Sequence, residues 1–112
     1  MYRSSFNPKY ILYIKEGLQH KGTQRDIIDS IPEFKGAFGH SLGHSVGLFI
    51  HESPRLYSRG FGRKLKVGEI VTVEPGIYLF GKYGCRIEDM VAITKDGIHN
   101  FTHSPKDLIE IL

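Results

Sequence analysis

Hydrophobic and polar positions follow two different rhythms along the chain. In the first part, apolar residues return every three or four positions. Ile11, Ile14 and Leu18 share one face over residues 7–22, with Lys15 interrupting the stripe. Asn7 is a good N-cap, Pro8 suits the first helical position, and Gly22 is a plausible stop after His20 and Lys21. The spacing therefore predicts a helix over 7–22, weakened by about 1 kcal/mol at Gly17. A second, short helix is predicted next. Thr23 can cap it, Asp26 follows three residues later, and Ile27, Ile28 and Ile31 supply apolar contacts before Pro32.

From Phe38 onward glycines recur, and the apolar residues alternate or run in short blocks. "VGLFIHE" (46–52), "EIVTVEPGIY" (69–78), "CRIEDMVAIT" (85–94) and "IHNFT" (98–102) read as strands. "SRGFGRKLKVGE" between the first two reads as a loop, or as two extended pieces around a turn. Asp96-Gly97 is a strong turn dipeptide, so a hairpin is expected there. "SPKDLIEIL" begins as a turn or short helix and ends apolar. Helix, helix and then an antiparallel β-region make an α+β domain with no linker dividing it.

Composition narrows the possibilities. The 112 residues suit one domain with a single core. The net charge of +3 is mild, and its densest group, Arg59, Arg63, Lys64 and Lys66, is broken by glycines. A solvated loop explains that group better than a phosphate-binding patch, so no nucleic-acid partner is expected. No apolar run approaches a membrane span, and "MYRSSFNPKY" lacks a signal-peptide core. Cys85 is the only cysteine, so no intramolecular disulfide is possible. These features predict a cytoplasmic protein with no membrane partner. Cys85 itself, beside Arg86, is expected to be a small buried hydrophobe rather than an activated thiol.

The polar residues suggest chemistry in three places. "GHSLGHSVGLFIHE" (39–52) holds His40, His44 and His51, half of the six histidines in the chain. In an extended chain His40 and His44 point to one side and His51 to the other. Glycines 39, 43 and 47 allow close backbone approach. Glu74 ends a strand before Pro75, sharing a face with Thr72. As an isolated residue it would be a solvent-facing acid. "CRIEDMVAIT" carries apolar residues on both faces, so it is expected to be covered on both sides, with Arg86, Glu88 and Asp89 partly buried. An internal ion pair with Arg86 would satisfy such acids; so would a metal. Three histidines with Glu74 and Glu88 are compatible with an imidazole–carboxylate site for Mn, Fe, Co or Zn, or with structural histidines. His51-Glu52 is followed by "SPRL", so this is not the helical HExxH motif.

Three blocks in order, "HSLGHSVGLFIHESP", "LKVGEIVTVEPGIY" and "GCRIEDMVAIT", resemble the C-terminal half of the pita-bread metallopeptidases. They are most similar to the Xaa-Pro dipeptidase and Xaa-Pro aminopeptidase branch. The resemblance covers residues 24–112 and leaves 1–23 as an unassigned N-terminal helix. It implies a curved antiparallel sheet with helices packed on one face, the creatinase/aminopeptidase-like fold. It also implies two divalent metals, Mn or Co before Zn or Fe, held by two Asp, one His and two Glu. Carried over by motif, His44 is the histidine ligand, and Glu74 of "VEPG" and Glu88 of "RIED" are the two glutamates. His40 and His51 match histidines that meet the substrate. Arg86 matches a position that orients nearby acids. The implied reaction is hydrolysis of peptides with proline at the second position. In it, Glu74 handles the proton of the nucleophile and neutral imidazoles stabilise the oxyanion.

The two Asp ligands of the family lie on a hairpin upstream of the histidine block. The acids before His40 here are Glu16, Asp26, Asp29 and Glu33, none in that strand context. A truncated or split form is therefore expected, holding at most one weakly bound metal by itself. A homo-oligomer or a complementary chain would complete it. Two alternatives accompany this expectation: a non-catalytic domain that keeps the fold and binds peptide or a protein partner, and a creatinase-type hydrolase.

Overall fold

The computed structural model of the chain describes residues 24–56, 63–107 and 109–111. The predicted helix over 7–22 lies outside the described residues. Helix α1 spans Gln24–Asp29 and is followed by a single 3-10 turn at Pro32–Phe34. Among the described residues seven short strands follow: β1 Gly43–Ser45, β2 Glu52–Leu56, β3 Ile70–Val73, β4 Gly76–Leu79, β5 Tyr83–Arg86, β6 Asp89–Thr94 and β7 Gly97–Asn100. Five of them form an antiparallel sheet in the order β2-β1-β3-β6-β7, while β4 and β5 form a separate hairpin.

The alternation of β3 and β6 explains the core. Val71 and Val73 of β3 and Val91 of β6 are at most 2% exposed, and Val71 stands opposite Val91. Ile28 of α1, Phe38, Leu42 and Leu56 close over them, with Phe34 and Ile77 at the margin. This is one hydrophobic face of a sheet covered by a short helical segment, the expected α+β layering. The predicted hairpin forms, shifted by one residue: Lys95-Asp96 make the turn, and Gly97, at φ 144°, opens β7 opposite Thr94.

Several expectations are corrected. "VGLFIHE" is not a strand. Residues 46–51 form the connection between β1 and β2, and its Leu48, Phe49 and Ile50 side chains project outward. The apolar alternation there resembles a strand, but Gly47 N–H donates to Phe49 O at 3.1 Å, which closes a turn. "EIVTVEPGIY" is two strands, broken at Glu74-Pro75, where the ladder passes from the main sheet to the hairpin. "CRIEDMVAIT" breaks likewise at Ile87-Glu88. The two faces of β6 are covered unequally: Asp89, Val91 and Ile93 are buried, whereas Ala92 and Thr94 are half-buried and Met90 is exposed. Arg86 and Glu88, expected to be partly buried, are exposed. Cys85 is also exposed, because the β4–β5 hairpin stands outside the five-stranded sheet.

Candidate active site

The site is built where β1 and β3 meet. The two strands approach so closely that a Cβ on Gly43 would sit 1.8 Å from the Thr72 carbonyl oxygen. That closeness lets the Thr72 hydroxyl accept from His44 N–H at 3.0 Å. The same hydroxyl lies 3.3 Å from His44 O and 3.1 Å from Glu74 Oε1, two acceptors for its one proton. Just beyond the strand, Glu74 N–H donates to Leu42 O at 2.7 Å. The backbone thus fixes His44 and Glu74 relative to one another before their side chains touch.

The side chains then face each other. His44 Nε2 lies 3.1 Å from Glu74 Oε1, with about a tenth of each side chain exposed. His44 Nδ1 is 3.0 Å from Ser45 O, and a carbonyl can only accept, so Nδ1 carries the proton. In the neutral ring, Nε2 therefore points a lone pair at a carboxylate oxygen. Two such atoms face one another favourably only if a proton or a cation lies between them. A separation of 3.1 Å also suits two ligands each about 2.1 Å from one ion. By donor chemistry and spacing, His44 and Glu74 fit a divalent metal. Among the described residues no group of three His, Cys, Asp or Glu side chains that could hold a metal ion converges.

Glu88 is linked to the pair through Arg86. The Arg86 Nε lies 3.7 Å from Glu74 Oε2 and 3.8 Å from Glu88 Oε2. Arg86 ends β5, opposite Gly76, and reaches back over the break at Pro75. Its guanidinium is held above its ordinary pKa, first by a hydrogen bond with the Tyr78 side chain and also by the charge of Glu74.

The three histidines divide differently from expectation. His51, not His40, joins His44: their rings meet edge-on with centroids 4.4 Å apart. The turn at 46–51 reverses the chain, so extended-strand parity does not apply. His40 sits against Phe38 and Tyr78 instead. Its Nδ1 lies 2.7 Å from Ser41 O, and its Nε2 3.0 Å from the Tyr78 hydroxyl. With Nδ1 as donor to the carbonyl, Nε2 accepts the phenolic proton. Tyr78 therefore joins His40 to Arg86, and through Arg86 to Glu74 and Glu88. Sequence reasoning missed it. The available signal was the alternation Glu74, Gly76, Tyr78: the ring folds over Gly76, where a Cβ would meet the hydroxyl at 2.6 Å.

Asp89 adjoins Glu88 in sequence but turns the other way. It is 1% exposed, and Lys106 Nζ from the C-terminal tail lies 2.8 Å from its Oδ1. This pair fastens the tail to β6 on the side away from Glu88.

An imidazole faces a carboxylate across two strands, and an arginine spans two glutamates. Residues 9–95 match the model of metallopeptidase family M24, and the chain belongs to that family. It is 44% identical over 101 residues to an uncharacterized peptidase of Bacillus subtilis, covering 88% of this chain and 28% of that one. It is 47% identical over 72 residues to the Xaa-Pro dipeptidase of Pyrococcus horikoshii, covering 64% of this chain and 20% of that one. Among solved structures, an Xaa-Pro dipeptidase from Bacillus anthracis superposes with a TM-score of 0.71 at 38% identity, over 90% of this chain and 31% of that one. The prolidase of Pyrococcus horikoshii gives 0.70 at 34%, over 90% and 32%. The fold is part of the pita-bread fold, and the chain spans less than a third of each of these relatives.

Proposed function

We propose that this chain carries the histidine-and-glutamate side of a metal-dependent peptidase acting on peptides with proline at the second position. The observation that carries the proposal is the His44 Nε2–Glu74 Oε1 approach at 3.1 Å, with His44 Nδ1 already committed to a carbonyl. His44 and Glu74 would hold a divalent metal, Mn or Co, and Glu88 would join them as Arg86 releases it. A bound divalent metal would supply Lewis acidity toward a scissile carbonyl and toward water.

The chain's own residues have separate tasks. Glu74, with one oxygen near His44 and one near Arg86, accepts the proton of the attacking water. Arg86 orients the two glutamates and keeps their charges tolerable at close range. His51 presents its imidazole edge to the developing oxyanion, while His40, with both ring nitrogens engaged by Ser41 O and the Tyr78 hydroxyl, flanks the substrate. The two Asp ligands that the family resemblance implies would come from a complementary segment, chain or second copy. The protein acts in the cytoplasm.

The test is hydrolysis of Xaa-Pro dipeptides with Mn or Co, by the chain alone and by an assembly that adds an Asp-bearing hairpin. Cleavage by the assembly that is lost in His44→Ala supports the proposal. No cleavage with any divalent metal in the completed assembly overturns it. A second reading, a non-catalytic module that binds peptide or protein, draws on the outward Leu48, Phe49 and Ile50. Binding of Xaa-Pro peptides without turnover would favour it. Turnover of creatine rather than Xaa-Pro peptides would favour a creatinase-type hydrolase instead.

A further inference from the structure

Glu52 takes no part in the site described above, yet the turn that carries His51 is folded around its carboxylate. Phe49 N–H donates to Glu52 Oε1 at 2.9 Å, and Gly47 N–H donates to Phe49 O at 3.1 Å. Gly47 leaves no room for a side chain: a Cβ there would lie 2.3 Å from Glu52 Oε2 and 2.6 Å from Cδ. Glu52 itself is anchored in the sheet, where it pairs with Ser45 of β1.

Packing does not hold this turn. Leu48, Phe49 and Ile50 are 99%, 74% and 71% exposed, so apolar burial contributes little to fixing residues 47–51. Hydrogen bonds from backbone N–H to an ionised carboxylate are roughly twice as strong as neutral ones. In a turn with no apolar anchor, such a bond decides the conformation. The consequence reaches the site directly, because His51 is the last residue of the turn and its ring meets His44 at 4.4 Å.

We infer that Glu52 is a positioning residue: its carboxylate organises turn 47–51 and thereby keeps His51 against His44. The inference rests on the proposed role of the His44 side of the site, and its test does not depend on turnover. Removing the acceptor frees the turn, and His51 then samples many orientations. In a completed peptidase this lowers kcat with little change in KM, because the affected group acts in the transition state.

The experiment is proton NMR of the full chain. Wild type is expected to give cross-peaks between the imidazole protons of His44 and His51. Glu52→Ala is expected to lose them while the cross-strand peaks linking β3 and β6 persist. Gly47→Ala, which evicts the carboxylate by a different route, is expected to do the same. Glu52→Gln keeps an acceptor oxygen and is expected to retain them. Persistence of the His44–His51 peaks in either alanine variant would overturn the inference. So would unfolding of both, since Glu52 would then be a determinant of the fold rather than of His51. Failure of the metal reading would appear separately, as wild-type His44 resonances indifferent to Co or Mn.

Discussion

Gly43→Ala places the greatest stress on the joint that aligns His44 with Glu74. The added Cβ would lie 1.8 Å from the Thr72 carbonyl oxygen and 2.6 Å from its carbon, both backbone atoms that cannot swing aside. An ordinary contact of this kind is about 3.4 Å, so β1 and β3 would have to part by roughly 1.6 Å. The bonds from His44 N–H to Thr72 Oγ1, at 3.0 Å, and from Glu74 N–H to Leu42 O, at 2.7 Å, do not survive that movement. Each is worth about 1 kcal/mol made, and about 1–3 kcal/mol if its donor is left buried without a partner. Alanine returns about 0.4–1 kcal/mol by restricting the unfolded chain. The net expectation is a loss of about 1–5 kcal/mol, a large part of the ~5–15 kcal/mol typical of a domain. The assay is urea unfolding followed by circular dichroism. Gly39→Ala is the control, since nothing lies within 4 Å of its Cβ position, and it should be neutral or slightly stabilising. A Gly43→Ala loss below about 0.5 kcal/mol, with an unchanged denaturant slope, would refute the reasoning.

Three further outcomes are expected. Lys106→Met leaves the buried Asp89 carboxylate without its 2.8 Å ammonium partner and should cost about 3–5 kcal/mol in the same unfolding assay. Tyr78→Phe removes the hydroxyl shared by His40 and Arg86. Stability should change by less than about 0.5 kcal/mol, while Xaa-Pro hydrolysis by the completed assembly should fall about 10–100-fold. Glu69 is held below its ordinary pKa, chiefly by the Arg63 hydrogen bond and also by Lys66 N–H, against an opposing burial effect. Its contribution is therefore complete above an unfolded pKa of about 4.3 and lost as the pH falls through the lowered folded value. Glu69→Gln should destabilise the chain near neutral pH by less than about 1 kcal/mol, given the exposure of Arg63, and by nothing in strong acid.

The sequence revealed much of this molecule because the relevant information is local. The alternation of Val71 and Val73, and of Val91 and Ile93, defines the buried faces of β3 and β6. Asp96-Gly97 marks its hairpin to within one residue, the turn itself being Lys95-Asp96. The motif blocks identified His44, Glu74, Glu88 and Arg86 as neighbours, and three contacts of 3.1–3.8 Å link all four, His44 through Glu74 and Glu88 through Arg86. What stayed hidden depends on the third dimension. Val46, Leu48 and Ile50 alternate as a strand would, and only the carboxylate of Glu52 inside the turn shows why the chain bends there. Parity along an extended chain paired His40 with His44, but that bend brings His51 to His44 instead. Cys85 and Arg86 read as interior because nothing local signals that their hairpin leaves the main sheet. Asp89 reads as one of three acidic or basic neighbours, whereas its partner Lys106 arrives from the distant tail.

The central claim is that His44 and Glu74 together hold a divalent metal. Calorimetric titration of the chain with Co or Mn tests it most directly, comparing wild type with His44→Ala and Glu74→Gln. A single weak site in wild type, lost in both variants while the folded circular dichroism spectrum is retained, is the predicted result. Equal binding by wild type and His44→Ala, or no binding by wild type at all, would contradict it.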